Sequence, residues 1–198
     1  MRLGVLGGTF DPVHHGHLVL AERAREQLKL DKVLWLPAGD PWRKADRQVA
    51  AAKHRVEMVR RAIGGSGEFE LSTLEIEREG PTYTVDTLAA LRDRYPGDEL
   101  FFLLGQDALE DVPNWHDPER LIALATLAVA ARGEERRSHA ALDRLVPGLS
   151  GRVTWIEMPH LEISATELRH RAAAGQSLRY VTPDAVATYI REQRLYGG

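Results

Sequence analysis

The chain has 198 residues, 43% of them hydrophobic, enough to build one large α/β domain with a sizeable core. A formal net charge of −3 argues against bulk binding to nucleic acid or to an anionic membrane. The absence of cysteine excludes disulfides and zinc–thiolate centres and fits a reducing, cytoplasmic setting. Arg2–Leu6 reads as a short buried strand, Gly7-Gly8 as the turn that ends it, and Leu18–Leu28 as an amphipathic helix. A chain opening on a strand rather than a charged leader predicts no signal peptide. Lys32–Pro37 is a second strand, followed by a polar loop with Pro41, Trp42, Arg43 and Lys44. Ala50–Ile63 reads as a helix ended by a glycine-rich turn, Phe69–Ser72 as a strand, and Leu74–Glu77 as an extended piece leading to Gly80-Pro81. Thr84–Tyr95 is helical, with Val85, Leu88 and Leu91 on one face. Glu99–Leu104 is the most strand-like run and ends at Gly105-Gln106-Asp107. The apolar run Leu121–Ala131 is too short and alanine-rich to span a bilayer. Leu127–Ala131 and Arg152–Glu157 read as strands, and helices over 165–174 and 183–194 follow. This alternation predicts a Rossmann-like, doubly wound, mostly parallel sheet with helices on both faces and its ligand at the C-terminal strand ends.

Chemistry concentrates at the first of those strand ends. Strand, glycine turn and a helix opening with imidazoles would offer a phosphate backbone N–H groups, a helix dipole and cationic donors together. His14 and His17 stand three residues apart, on one helical face, and Gly16 leaves the backbone open to a ligand. The plain alternatives are incidental histidines or a metal pair, but no acidic or cysteine partner stands at zinc-site spacing, and no metal site is expected. The glycines run Gly4, Gly7, Gly8 rather than Gly-x-Gly-x-x-Gly, which removes the main support for a dehydrogenase. In Ile163–Arg169, Ser164 and Glu167 form a capping-box pattern, while Thr166 and Arg169, one turn apart, can address one polyanion. Asp107 is either a helix N-cap or a reader of ribose hydroxyls. Trp115 either covers the core or offers a flat face to an aromatic ring. The helix opening after Gly80 has N–H groups suited to a carboxylate, with capping by Thr82 or Thr84 as the plain alternative. Arg132, Arg136, Arg137 and Arg144 are interrupted by Glu134 and Glu135, a mixed-charge surface rather than a basic patch.

Residues 7–17 resemble the Gly-Gly-x-Phe-Asp-Pro-x-His-x-Gly-His signature of the nucleotidyltransferase superfamily. Tyr83–Thr87, Phe102–Asp107, Trp115-His116 and Ile163–Arg169 then match, in order, the motifs of the bacterial nicotinate-nucleotide adenylyltransferases, so the whole chain looks like a member of that family. The resemblance implies adenylyl transfer from ATP to nicotinic acid mononucleotide in NAD biosynthesis, giving nicotinic acid adenine dinucleotide and pyrophosphate. It implies His17 and His14 as the catalytic pair. ATP would be bound by Gly7, Gly8, Thr9, Phe10, His14, Gly16 and His17, by Gly105 and Asp107, and by Ile163, Ser164, Thr166 and Arg169. The acceptor would meet Lys44, Tyr83, Thr84, Asp107, Trp115, His116 and Arg132, with Trp115 stacked on the pyridine ring and backbone N–H groups of Thr84 and His116 on its carboxylate. Mg2+ would arrive with the triphosphate. The implied partners are small molecules, with no nucleic acid and no membrane; a homo-oligomer stays open. The domain expectation is a single nucleotidyltransferase domain over 1–198 whose part from about 163 to 198 packs on the nucleotide site. The chain departs from the family pattern at Ala165, where a second serine is usual, at His116 for tyrosine, at Arg43 for histidine, and at Gly133, where Arg132 lacks its proline. Phosphopantetheine or nicotinamide mononucleotide adenylyl transfer, a non-catalytic nucleotide sensor, and an RNA-binding relative of the aminoacyl-tRNA synthetases are the alternatives.

Overall fold

The computed structural model describes residues 1–39, 49–131 and 136–197. Six parallel strands form one sheet: β1 (Arg2–Gly8), β2 (Lys32–Pro37), β3 (Phe69–Leu71), β4 (Glu99–Gly105), β5 (Thr126–Ala131) and β6 (Val153–Glu157). Their order is β3-β2-β1-β4-β5-β6, so the winding reverses between β1 and β4, and ligands bind at such a switch point. The helices are α1 (His15–Leu28), α2 (Ala52–Ile63), α3 (Thr84–Arg94), α4 (Gln106–Asp111), α5 (Pro118–Leu124), α6 (His139–Leu145), α7 (Ala165–Ala173) and α8 (Asp184–Glu192). Among the described residues no helix is long and apolar enough to cross a membrane.

The strands are near-continuous apolar runs because both of their faces are covered. On one face Leu6, Trp35, Phe101, Leu103 and Ala128 pack with Ala21 and Ala24 of α1, Met58 and Val59 of α2, and Val186 and Ile190 of α8. On the other, Leu3, Val5, Leu34, Phe102, Leu104 and Val129 pack with Leu88 and Leu91 of α3 and Leu121 of α5. The expected fold class is the observed one.

Several boundaries differ from the sequence reading. β1 runs through both glycines, and the chain turns instead at Phe10, which takes a positive φ of 49°, followed by a cis Asp11-Pro12 bond. Gly8 is needed for space: a Cβ there would stand 3.1 Å from the Phe10 ring. The segment Leu74–Glu77 is a turn rather than extended. The run 121–131 divides at Ala125, the last turn of α5 on one side and β5 on the other. The start of α5 was legible in principle, since Asp117 caps it by accepting from the Arg120 N–H at 3.3 Å and Pro118 occupies its first turn.

Candidate active site

The loop leaving β1 and the first turn of α1 form the centre of the site. α1 begins at His15, so Gly16 and His17 belong to its first turn, which carries no acidic residue to offset the positive end of the dipole. The His17 ring lies 3.8 Å from that of His14 and 5.1 Å, edge-on, from Phe10. The backbone N–H of His14 donates to His17 Nδ1 at 3.2 Å, which fixes the His17 proton on Nε2 and leaves that nitrogen as the donor. His14 is buried, and burial, followed by the charge of His15, lowers its pKa to about 4. His14 is therefore uncharged near neutral pH, rather than the cationic donor expected of it. His14 Nδ1 is buried, with no hydrogen-bond partner among the described residues. A Cβ on Gly16 would stand 3.0 Å from His14 Nδ1, so glycine leaves room there for the imidazole.

The α7 motif meets this loop directly. Ser164 caps α7 by accepting from the Glu167 N–H at 3.2 Å, as its spacing predicts. Arg169 donates from Nη1 to the Asp11 carbonyl at 2.7 Å and from Nη2 to Thr166 Oγ1 at 3.0 Å. A guanidinium is thus set against the turn that follows β1. Beyond α7, Thr182 Oγ1 donates to the Val13 carbonyl, and the Tyr196 hydroxyl donates to Asp11 Oδ1, each at 2.7 Å. Burial, reinforced by the Asp11 charge, raises the Tyr196 pKa.

Of the residues expected to hold the acceptor, Tyr83, Trp115 and His116 gather across the switch point. Gly7 lies against Phe102 of β4, and Phe102 meets Trp115 edge-on at 6.0 Å. Trp115 is half-buried, its indole N–H donating to Asp111 Oδ2 at 3.2 Å, while Asn114 donates to Asp111 Oδ1. His116 stacks face to face on Tyr83 at 4.3 Å, joining the tryptophan loop to the start of α3. Tyr83 is the residue preceding α3, and neither Thr82 nor Thr84 caps it; Thr82 is buried and bonds to Glu75 instead. Asp86 lies in the first turn of α3. Asp107 does not cap α4, a role held by Gly105, and sits exposed in that helix's first turn. Lys44, Arg43 and Arg132 lie outside the described residues. Arg136 pairs with Glu157 and Arg137 with Glu110, as expected of a mixed-charge surface.

Sequence reasoning missed three residues that build the site. Arg55 of α2 is 2% exposed and donates to four backbone carbonyls, those of Ala50, Thr9, Ala38 and Gly39. Burial lowers its pKa, opposed by the charges of Asp11, Tyr196 and Glu75. Glu75 is buried beneath the start of α3, accepts from Thr87 Oγ1 at 2.9 Å, and has its pKa raised chiefly by burial. Asp111 orients Trp115. A signal existed for the last, an acidic residue four positions before the tryptophan, but Arg55 within its helix and Glu75 within the piece read as extended carry no local pattern that marks them as buried.

Residues 5–171 match the family model described as cytidylyltransferase-like, so fold and site define a nucleotidyltransferase. A "Probable nicotinate-nucleotide adenylyltransferase" of Thermomicrobium roseum is 43% identical over 195 residues, covering 98% of this chain and 91% of the relative. One of the same name from Roseiflexus is 44% identical over 194 residues, covering 98% and 97%. The chain belongs to the nicotinate-nucleotide adenylyltransferase family. The fold agrees: the solved Plasmodium falciparum nicotinic acid mononucleotide adenylyltransferase complexed with NaAD superposes with a TM-score of 0.81 at 20% identity, covering 98% of this chain and 97% of that one.

Proposed function

We propose that this protein transfers the adenylyl group of ATP to nicotinic acid mononucleotide, releasing pyrophosphate and forming nicotinic acid adenine dinucleotide in NAD biosynthesis. The observation that carries the reading is the convergence at the β1–β4 switch point. His14, His17 and Arg169 gather on one side of it, and the rings of Trp115, His116 and Tyr83 on the other, which supports a polyanion beside a flat ring. A phosphate monoester with a second pKa of about 6 is already ionised near neutral pH, so the nucleophile needs no general base. The protein's task is to align the attacking oxygen with the α-phosphorus and to stabilise the charge that develops there and on pyrophosphate. In this assignment His17 Nε2–H donates to the α-phosphate and His14 to the neighbouring phosphates. The backbone of Gly7, Gly8, Thr9, Phe10 and Gly16 lets the chain approach ATP closely. Ser164, Thr166 and Arg169, with the Ile163 peptide, hold the leaving group. Gly105 and Asp107 take the ribose, and ATP enters as its magnesium complex, the ion resting on phosphate oxygens and water.

On the acceptor side, Trp115 stacks on the pyridine ring, Thr84 and His116 offer N–H groups to its carboxylate, and Tyr83 braces His116; Lys44, as a phosphate contact, and Arg132 are assigned to substrate binding from the family motifs. The segment from about 163 to 198 acts as the part of the same domain that covers the nucleotide, and its bonds to Asp11 and Val13 support this. The cysteine-free composition supports a cytoplasmic setting. The test is pyrophosphate release from magnesium-ATP with a panel of phosphate acceptors. Nicotinic acid mononucleotide is expected to support turnover and phosphopantetheine not, while ATP binding without turnover on any acceptor would make the protein a sensor. A site offering only N–H donors should prefer the acid to the amide by about 10- to 100-fold in kcat/KM, since an amide would leave polar groups unpaired at roughly 1–3 kcal/mol. Equal values for the two mononucleotides would leave Trp115 as a platform without charge selection.

A further inference from the structure

Arg55 has no substrate role in the scheme above, yet its side chain reaches three separate parts of the chain. Nη1 donates to the Thr9 carbonyl at 3.1 Å and to the Ala38 carbonyl at 2.7 Å, Nη2 to Gly39 at 3.2 Å, and Nε to Ala50 at 3.0 Å. Thr9 follows β1 in the loop that leads to His14, and Ala38 and Gly39 follow β2. The Ala50 peptide is held from both sides, its carbonyl by Arg55 and its N–H by Asp11 Oδ1 at 3.3 Å. Among the described residues no carboxylate lies within ion-pair distance of this guanidinium. Its charge is answered by carbonyl dipoles and, through the Ala50 peptide, by Asp11.

A buried charge is a poor way to gain stability alone, because a well-packed apolar side chain of similar volume commonly serves as well. What the guanidinium supplies that an apolar group cannot is a rigid planar fork of donors with fixed angles between them. We propose that Arg55 is a positioning residue for adenylyl transfer, fixing the Thr9 carbonyl against the exit of β2 and thereby setting where the loop carrying His14 and His17 stands relative to the acceptor side. The inference rests on the adenylyl-transfer reading.

The experiment uses the full chain with Arg55→Lys, which keeps the charge but loses the fork, and Arg55→Gln as a second variant. Turnover at saturating magnesium-ATP and nicotinic acid mononucleotide is measured per site that binds a non-hydrolysable ATP analogue, so that unfolded protein does not count. Analogue affinity is expected within about threefold of the unaltered protein, with kcat per competent site lower by about 10- to 100-fold, the scale of misplacing a preorganised donor. Partial recovery of an Arg55→Ala variant by millimolar guanidinium, and not by equal sodium chloride, is the second expected result. A kcat per competent site within twofold of the unaltered protein would overturn the proposal, as would failure of every variant to fold, which assigns Arg55 to folding alone. Absence of turnover in the unaltered protein would instead defeat the adenylyl-transfer reading, and the positioning role with it.

Discussion

The two imidazoles at the head of α1 divide their labour through their surroundings. His17 has its Nδ1 occupied by the His14 N–H, so its Nε2–H is the preorganised donor. Replacing it by alanine should lower kcat by about 10²-fold, measured by pyrophosphate release in correctly folded protein. An unchanged kcat would remove His17 from the mechanism. His14 is instead a group whose burial can be read in stability. It stays neutral in the folded protein until about pH 4, whereas the unfolded chain protonates near its ordinary value of 6.5. Between those limits the unfolded state binds the extra proton, so stability falls as pH falls. The loss from His14 alone should be about 2 kcal/mol between pH 7.5 and pH 5. Glu75, with a raised pKa, acts in the opposite sense and loses stability as pH rises through its folded value. Urea unfolding of the unaltered protein against His14→Asn at both pH values cancels Glu75, and equal slopes in the two would show that His14 does not titrate this way.

Among the elements, the approach of the β2 exit to the turn before α3 is the tightest in the site. A Cβ on Gly39 would stand 2.1 Å from the Glu75 carbonyl oxygen and 3.0 Å from Thr82 Cγ2, so backbone would have to move. Gly39→Ala is expected to cost roughly 1–3 kcal/mol, the range for overpacking, and to lower kcat/KM for the acceptor. Gly67→Ala, where nothing lies within 4 Å, is the control and should leave both unchanged. Denaturant midpoints with acceptor kinetics check the pair. This contact also marks where sequence reading stopped. The strands were legible because burial on both faces leaves long apolar runs, and the α7 cap because serine and glutamate keep a fixed spacing. Gly39 and Glu75 carry no such signature: their pairing depends on β2 and α3 converging in space, which no local period encodes. The helices α4 and α6 are too short for a periodic pattern to declare itself.

For the molecule as a whole, residues far apart in the chain complete the loop after β1. Asp11 accepts from Ala50, Arg169 and Tyr196, and Val13 from Thr182. Removing the Tyr196 hydroxyl by Tyr196→Phe takes one donor from a carboxylate whose Oδ2 is already buried without a partner among the described residues. The expected cost is about 1.5–3 kcal/mol, the range for a hydrogen bond to a charged group. Thr182→Val should cost about 1 kcal/mol, and because both bonds steady the same short turn, the double variant should lose measurably less than the two together. Strict additivity in chemical unfolding would show that the two ties act on separate parts of the fold.

The Tyr196–Asp11 bond spans 185 positions, and that separation has a bearing on how the protein is made. The ribosome delivers Asp11 among the first residues and Tyr196 only after all six strands have been synthesised. At roughly 5–20 residues per second, Asp11 waits about ten seconds or more for this donor. The sheet can form around β1 and β4 in that interval, but the turn that follows β1 cannot take its finished shape. A nascent chain stalled before residue 196 would present the strands and both imidazoles without the last tie on Asp11, so competence to bind ATP should arrive late in translation, well after the core is in place.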